Sequence, residues 1–269
     1  MYSSPAGARA RGEWRFIVTT ALWGGLIVAS CVAVAIAGLS LAHRLIPVTV
    51  RRSNLVAVSA IYAAVYVMFG VTLGFSLLLV WQEYGAARQT AETEAAAAEE
   101  VYRLASRLPE PGRSRIQDAA VSYIRAVVEE KWPAMEQGRP SAEAGARADS
   151  LQESVQGIDP RTPAEEGIYS ASLTNVDDLD EARALRLLEI REGLPPLLWI
   201  VLFAGAAVTV SFTFLFGMDT LWLHAMATGA LTALVVLILY VTSVLEYPFD
   251  GDVRVGPEAF ELALRAMGG

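Results

Sequence analysis

The chain has 269 residues, of which 54% are hydrophobic, with a mean hydropathy of +0.40 and a net charge of -8. The acidic balance makes nucleic acid an unfavourable partner. The apolar residues are concentrated near 16–42, 54–81, 196–216 and 220–245. Each segment is long enough to cross a bilayer, which takes about 20 apolar residues in a helix, so we predict an integral membrane protein rather than a soluble enzyme.

The first apolar segment follows a basic tail, residues 1–15, which contains Arg9, Arg11 and Arg15. Such a tail also precedes signal peptides, but this apolar run is about twice their usual 7 to 15 residues, so we interpret it as a membrane helix. Arginine resists translocation, and more arginines flank the membrane on the side shared by both termini and the middle of the chain. We therefore expect both termini and the middle domain in the cytoplasm, and the protein in the inner membrane of a bacterium.

The first two spans form a predicted hairpin, residues 16–81, whose loop carries Arg44, Arg51 and Arg52. These cations would attract anions to one mouth of a pathway through the membrane. On the second span, aromatic and hydroxyl side chains recur at three- and four-residue steps: Tyr62, Tyr66, Phe69, Thr72, Phe75 and Ser76. Around an oligomer axis this stripe would line an apolar pore that gates by dewetting. The alternative is an aromatic ridge that packs against a neighbouring helix.

The middle of the chain, residues 82–195, has helical periodicity and no alternation typical of strands. We predict helices over 83–107, 113–131, 141–157 and 162–191, with Ser141 as an N-cap. A second hairpin follows at 196–245, where Asp219 and Thr220 are placed to cap its second helix. Residues 246–269 hold a turn and a short helix. The predicted fold is an all-α membrane protein, with four transmembrane helices in two hairpins that flank a helical cytosolic domain.

Side chains suited to catalysis or metal binding are few. The chain has two histidines, His43 and His224, and a single cysteine, Cys31, without the spacing of a metal site. Nucleophile elbows and glycine-rich phosphate loops are absent from the sequence. We therefore expect no catalytic residue, no metal and no cofactor, and we do not predict an enzyme.

Two short motifs, supported by scattered aromatic and charged positions, connect the chain to a known family. The motif positions are Trp132 and Pro133 in the middle domain, and Glu246, Pro248, Phe249 and Gly251 after the last span. With the order of two spans, a helical middle and two spans, they resemble the bestrophin-like domain family, a domain of unknown function, from about residue 14 to residue 264. Where that pattern has Glu-Trp-Pro, this chain has Lys131 before Trp132, and Glu130 lies one place earlier.

The family's name records a remote similarity to bestrophins, which are pentameric anion channels with four membrane helices per subunit. The resemblance implies a homo-oligomer in the lipid bilayer, a pentamer by the same likeness, that conducts an inorganic anion such as chloride. The alternative is a non-conducting sensor or scaffold. Its cytosolic helices would bind a protein partner through the acidic, alanine-rich surface of residues 83–107.

Overall fold

The computed structural model describes residues 5–47, 51, 55–132, 142–189, 193–218, 220–249 and 253–268. These residues are mainly helical, and no strand occurs among them. The helices are α1 (Pro5–Leu45), α2 (Leu55–Ala105), α3 (Gly112–Ala126), α4 (Ala142–Gln156), α5 (Pro163–Glu189), α6 (Pro196–Thr213), α7 (Leu221–Leu245) and α8 (Glu258–Ala266). A π-helical turn, Val127–Lys131, follows α3. The predicted all-α fold is confirmed.

Four helices in the described part of the chain are long and apolar enough to cross a membrane. They contain the segments Thr19–Leu45, Val58–Ala105, Pro196–Thr213 and Leu221–Leu245. Only the apolar part of the second segment is needed for a crossing, because about 20 helical residues span the hydrocarbon core. The four predicted spans are therefore present as helices.

Two local expectations need correction. The sequence separates the second span from a polar helix that begins at residue 83, whereas α2 continues unbroken from Leu55 to Ala105. The polar segment is rich in alanine and glutamate, which favour helix, and no proline interrupts it. Thr220 does precede α7, but its side chain makes no capping hydrogen bond. Asp219 and Ser141 lie outside the described residues.

The chain divides into two compact units, which we call the membrane unit and the polar unit. The membrane unit comprises Met1–Trp81 and Gly193–Glu246, and the polar unit comprises Gln82–Glu192 and Tyr247–Gly269. In the membrane unit α1 packs along α7, where the Tyr240 hydroxyl donates to the Thr20 carbonyl oxygen at 2.7 Å. A Cβ at Gly24 would lie 2.5 Å from the Tyr240 ring, so only glycine permits this approach.

The polar unit is built around a ridge of small side chains on α2. The ridge consists of Ala87, Ala91, Ala95, Ala98, Val101 and Ala105, all nearly or fully buried. Alanine every three or four residues lets neighbouring backbones approach closely and buries apolar surface along one helix face. The ridge packs with Ile116 and Ile124 of α3, Leu151 of α4 and Leu179 of α5 in one continuous core.

Candidate functional site

The six candidate pore residues on α2 do not share one face. Phe69 and Ser76 are buried inside the membrane unit. Phe69 belongs to an apolar cluster with Leu202 of α6 and Leu239 of α7, and a Cβ at Gly205 would overlap its ring. Phe69 and Ser76 therefore face the protomer's own helices.

The other four candidates lie in different surroundings. Tyr62 and Tyr66 stack with ring centroids 5.9 Å apart and line a cleft in the membrane unit. Thr72 is half-buried, and its hydroxyl donates to the Met68 carbonyl oxygen at 2.9 Å. Phe75 is 62% exposed. Of the predicted stripe, Phe75 is thus the aromatic residue most free to contact something outside the protomer.

α2 also has an exposed surface that lies outside the predicted aromatic stripe. Gly70 and Gly74 are exposed, and a Cβ added at either would meet nothing within 4 Å. Their spacing is Gly-x-x-x-Gly, which in membrane helices allows a second helix to approach closely. Val67 and Val71, between these glycines and the far side of the helix, are also more than half exposed.

The three loop arginines are not equivalent. Arg51 is buried: its Nη2 donates to His43 Nδ1 at 2.9 Å and its Nη1 to the Phe214 carbonyl oxygen at 3.2 Å. Arg44 is exposed on the last turn of α1. Arg52 lies outside the described residues. Arg51 is therefore a buried cation in the membrane unit rather than one of three free charges at a mouth.

His224 lies close to His43, the histidine that accepts from Arg51. It is 2% exposed, its Nε2 donates to the Thr213 carbonyl oxygen at 2.8 Å, and its ring centroid is 6.3 Å from that of His43. Because a carbonyl only accepts, Nε2 carries the proton. Thr228 donates to the Thr213 hydroxyl at 3.2 Å. We call Arg51, His43 and His224 the basic cluster.

Glu246, the first residue of the closing motif, has a structural role in the membrane unit. Its Oε1 accepts from the Leu194 backbone N–H at 3.0 Å and from the Trp199 indole N–H at 2.9 Å. Leu194 stands two residues before α6, so its N–H lacks a helical partner. Glu246 thereby fixes the entry to α6 from the end of α7.

The other motif residues meet in the polar unit. The Trp132 ring lies 6.0 Å from Phe249 and 5.4 Å from Phe260, centroid to centroid. The Trp132 indole N–H donates to the Val255 carbonyl oxygen at 3.3 Å, and the Val255 N–H donates to the Pro248 carbonyl oxygen at 2.7 Å. These contacts join the closing segment to the end of α3. Pro133 and Gly251 lie outside the described residues.

A fully buried ion pair lies against the Trp132 ring. Arg186 donates from Nε and Nη2 to the two oxygens of Glu94, both at 2.6 Å, and its Cζ is 5.3 Å from the Trp132 centroid. The Tyr123 hydroxyl also donates to Glu94. A bidentate pair with further hydrogen bonds is the arrangement that offsets the cost of burying two charges.

Burial sets the protonation of this network. Loss of solvent raises the pKa of Tyr123 well above its usual value of 10, and the neighbouring Glu94 carboxylate raises it further. Burial opposes the charge on Arg186, but the attraction of Glu94 outweighs it and raises the Arg186 pKa. The network is therefore a neutral tyrosine bound to a charged pair. Glu130, which lies one place before the acidic position of the family pattern, is exposed.

Neither the Glu94–Arg186 pair nor the basic cluster was predicted from the sequence. Glu94 follows Ala91 by three residues and precedes Ala98 by four, so it lies on the buried ridge. Arg186 likewise follows Leu179 and Ala182 on the buried face of α5. On both helices, a charged residue within an apolar stripe was therefore the sequence signal that could have indicated the buried pair. For Arg51 and Phe214, 163 residues apart, no local signal exists.

The scaffold alternative loses its main surface. Most alanine side chains of residues 83–107 are buried in the core of the polar unit and are not available to a partner. The glutamates around them are partly engaged at the surface, as with Arg88, which donates to Glu92 at 2.9 Å. Within the described ranges no group of three histidine, cysteine or acidic residues could hold a metal ion.

Together these features define a helical membrane protein whose polar unit is held by a buried ion pair. The chain belongs to the Bestrophin-like domain family, whose model matches residues 21–260. A search of curated proteins gives no significant match.

Solved structures with the same fold include a bacterial bestrophin homologue from Klebsiella pneumoniae. One variant of it has a TM-score of 0.69 at 12% identity, with 90% of this chain and 99% of that chain covered. Another structure of that homologue has a TM-score of 0.66 at 12% identity, covering 89% and 97%. A variant described as a membrane protein has a TM-score of 0.68 at 12% identity, also covering 89% and 97%. At this identity the likeness establishes the fold.

Proposed function

We propose that the protein is an oligomeric anion channel of the inner membrane, with α2 of each copy next to the central axis. Family membership and the fold of the bestrophin homologue support a channel. The observation that carries the proposal is the open surface of α2, where two glycines and a large aromatic side chain have no partner in the protomer. In a ring of identical subunits, the aromatic side chain of one copy would pack against the two glycines of the next copy.

The faces of α2 fit such a ring. Phe69, Leu73, Ser76 and Val80 form its protomer-facing ridge. At 100° per residue, Gly70 and Gly74 lie about 120° from the ridge on one side, and Phe75 lies about 120° away on the other. A Phe75 side chain from one copy would then enter the glycine groove of the next. Each contact is heterologous, and such contacts close into a ring when the rotation allows it.

The remaining face of α2 would line the pore. Val71 and Leu78, about 180° from the ridge, are 53% and 47% exposed in the protomer. Rings of such side chains make an apolar constriction of the kind that gates by dewetting. In this arrangement Phe75 packs between subunits, Phe69 and Ser76 are buried within the protomer, and Tyr62 and Tyr66 line its cleft. The proposed pore lining therefore consists of Val71 and Leu78 rather than of the six residues predicted from the sequence.

Charge favours anions over cations in the membrane unit. Among the described residues near the α1–α2 junction, Arg44 and Arg51 are cationic, and the Glu246 carboxylate accepts hydrogen bonds from Leu194 and Trp199. We place the two termini and the polar unit in the cytoplasm and the α1–α2 junction outside, following the arginine distribution. Exposed cations there raise the local concentration of anions.

A cross-linking experiment tests the subunit contact. Phe75→Cys and Gly70→Cys are combined in a Cys31→Ala background, in membranes, under mild oxidation. Two helix residues five apart have Cα atoms about 8.6 Å apart, beyond the about 7 Å limit for a disulfide, so any bond forms between chains. We expect a ladder of cross-linked species whose largest member contains all the subunits of the ring. Phe75→Cys alone is the control and should give no ladder, and an unbridged double variant would contradict the contact.

A flux experiment tests the lining. Val71→Thr keeps the shape of the side chain but adds a hydroxyl, which lowers the cost of wetting a constriction. Chloride efflux from liposomes should increase. Leu22→Thr on α1, where Leu22 is 66% exposed, provides a matched change on a face away from the proposed axis. Equal efflux from wild type and both variants would count against α2 as the lining helix.

A further inference from the structure

The membrane unit contains an apolar groove that is lined by α1, α6 and α7 and has a volume of about 700 Å³. Ala35, Val235 and Leu239 at its base are only 5%, 5% and 7% exposed. Val34 and Phe203 at its rim are 73% and 59% exposed. Because all three helices are long and apolar enough to cross a membrane, the groove opens sideways into the hydrocarbon core of the bilayer.

Most polar side chains that line the groove direct their protons away from it. The hydroxyls of Ser30, Thr232 and Ser243 donate to carbonyl oxygens of their own helices at 2.7–2.8 Å. The Tyr240 hydroxyl donates to a backbone carbonyl oxygen, and the Trp199 indole N–H donates to a carboxylate. None of the described residues that line the groove is charged. An apolar space of this kind is a poor site for ordered water and accepts an apolar ligand instead.

The length of the groove matches one leaflet of a bilayer. Its lining residues run over 27–38 on α1, 232–243 on α7 and 199–214 on α6. At 1.5 Å per residue the walls are about 16 Å long on α1 and α7 and about 22 Å long on α6. Half of a hydrocarbon core of about 30 Å is about 15 Å, which is the depth that one acyl chain covers. One extended acyl chain can therefore lie along the groove.

The two ends of the groove differ. Trp199 lies three residues after the start of α6, and Ser243 lies two residues before the end of α7, so this end is close to the end of two membrane helices. Tryptophan is enriched at the membrane–water interface, where phospholipid chains begin. At the opposite end a Cβ at Gly38 would lie 3.0 Å from the Phe214 ring, so α1 and α6 approach closely there. A chain would thus enter from the Trp199 end.

We propose that this groove binds one acyl chain of a membrane phospholipid, with the headgroup at the Trp199 end. The chain fills the space between α1 and α6 and completes the packing of the protomer. The subunit contact proposed above uses α2, so it leaves the groove open to lipid. Occupancy by a chain does not depend on conduction, and the site therefore goes beyond the proposed channel.

Lipid retention tests the site. The full-length protein is stripped of lipid in a sterol-based detergent, which has no alkyl chain, and is then mixed with dioleoylphosphatidylcholine. Native mass spectrometry should show one retained phospholipid per protomer. Ala207→Phe places a ring in the groove and should abolish this retention. Ala204→Phe changes an exposed alanine of the same helix outside the groove and should retain lipid as the wild type does. No retained lipid in the wild type, or equal retention by the two variants, would overturn the proposal.

Cys31, the single cysteine of the chain, lines the groove and reports on its occupant independently. In the stripped protein N-ethylmaleimide should alkylate the Cys31 thiol, and dioleoylphosphatidylcholine should slow this reaction saturably. Dihexanoylphosphatidylcholine has the same headgroup but short chains, so it should protect much less. Equal rates with and without the long-chain lipid would overturn the site. Protection that needs no lipid and is lost when the oligomer dissociates would assign the groove to a second copy of the chain instead.

Discussion

Arg186 and Glu94 are 92 residues apart in the chain, yet their side chains form a bidentate ion pair that is completely buried. The pair connects α2 with α5, and Trp132 and Phe260 cover the guanidinium, whose Cζ lies 5.3 and 5.6 Å from their ring centroids. An ionic contact and two aromatic contacts thus converge on one arginine in the core of the polar unit.

Removal of one member of the pair should be severe. Arg186→Met leaves the Glu94 carboxylate buried without a counter-charge, which costs about 3–5 kcal/mol. We expect a matching fall in the free energy of unfolding, measured by chemical denaturation in detergent. Adding Glu94→Leu to Arg186→Met should recover part of the loss, because it removes the stranded charge.

An exposed pair provides the control. Arg88 and Glu92 are 68% and 54% exposed, so Arg88→Ala should leave the free energy of unfolding nearly unchanged. If Arg88→Ala lowered the free energy of unfolding as much as Arg186→Met, burial would not explain the contribution of the Glu94–Arg186 pair.

Tyr123 should make the protein sensitive to alkaline pH. Its pKa is raised in the folded state by burial and by Glu94, so its proton is retained when the unfolded chain releases its own near pH 10. The stabilising effect is complete below about pH 10 and is lost as pH rises through the higher folded value. Stability measured against pH should therefore fall more steeply above about pH 10 in the wild type than in Tyr123→Phe. Parallel curves for the two proteins would be inconsistent with a raised pKa.

Glu246 should act through its oxygen atoms rather than its charge. Glu246→Ala leaves the Leu194 N–H and the Trp199 indole N–H without acceptors, at about 1–3 kcal/mol each where they are buried. Glu246→Gln keeps an acceptor oxygen and should be milder. Thermal unfolding followed by tryptophan fluorescence distinguishes the two variants, and equal losses would mean that the carboxylate charge itself is required.

The glycines of the membrane unit should separate folding from assembly. Gly205→Ala brings a methyl group against Phe69, and overpacking of this kind costs about 1–3 kcal/mol. Gly74→Ala meets open space in the protomer, so it should leave protomer stability nearly unchanged and weaken the oligomer. Thermal unfolding and oligomeric mass in detergent report the two effects. An unaltered mass for Gly74→Ala would exclude the glycine groove from the subunit contact.

The four membrane helices could be predicted because long apolar segments have few alternatives: in lipid every backbone polar group must be satisfied within the segment or by its neighbours. The roles of the individual α2 side chains could not be predicted from the sequence. Lipid is as apolar as a protein core, so hydropathy does not tell Phe69, which packs inside the protomer, from Phe75, which is exposed. Distinguishing buried Phe69 from exposed Phe75 required the positions of α6 and α7.

The polar positions show the same limit. Trp132 and Phe249 were identified from motifs, but their common neighbour Arg186 was not assigned a partner, because the Glu94–Arg186 contact joins distant segments. Arg51 was expected near an open mouth because it lies in the loop between the first two apolar segments. Its burial arises from the Phe214 carbonyl oxygen at the end of α6, which no local pattern indicates.

The most direct test of the channel is chloride efflux and single-channel conductance of the purified protein in liposomes, together with its oligomeric mass in detergent. We predict anion-selective conductance from a discrete oligomer larger than a dimer. Sealed liposomes with a monomeric or dimeric protein would contradict the account.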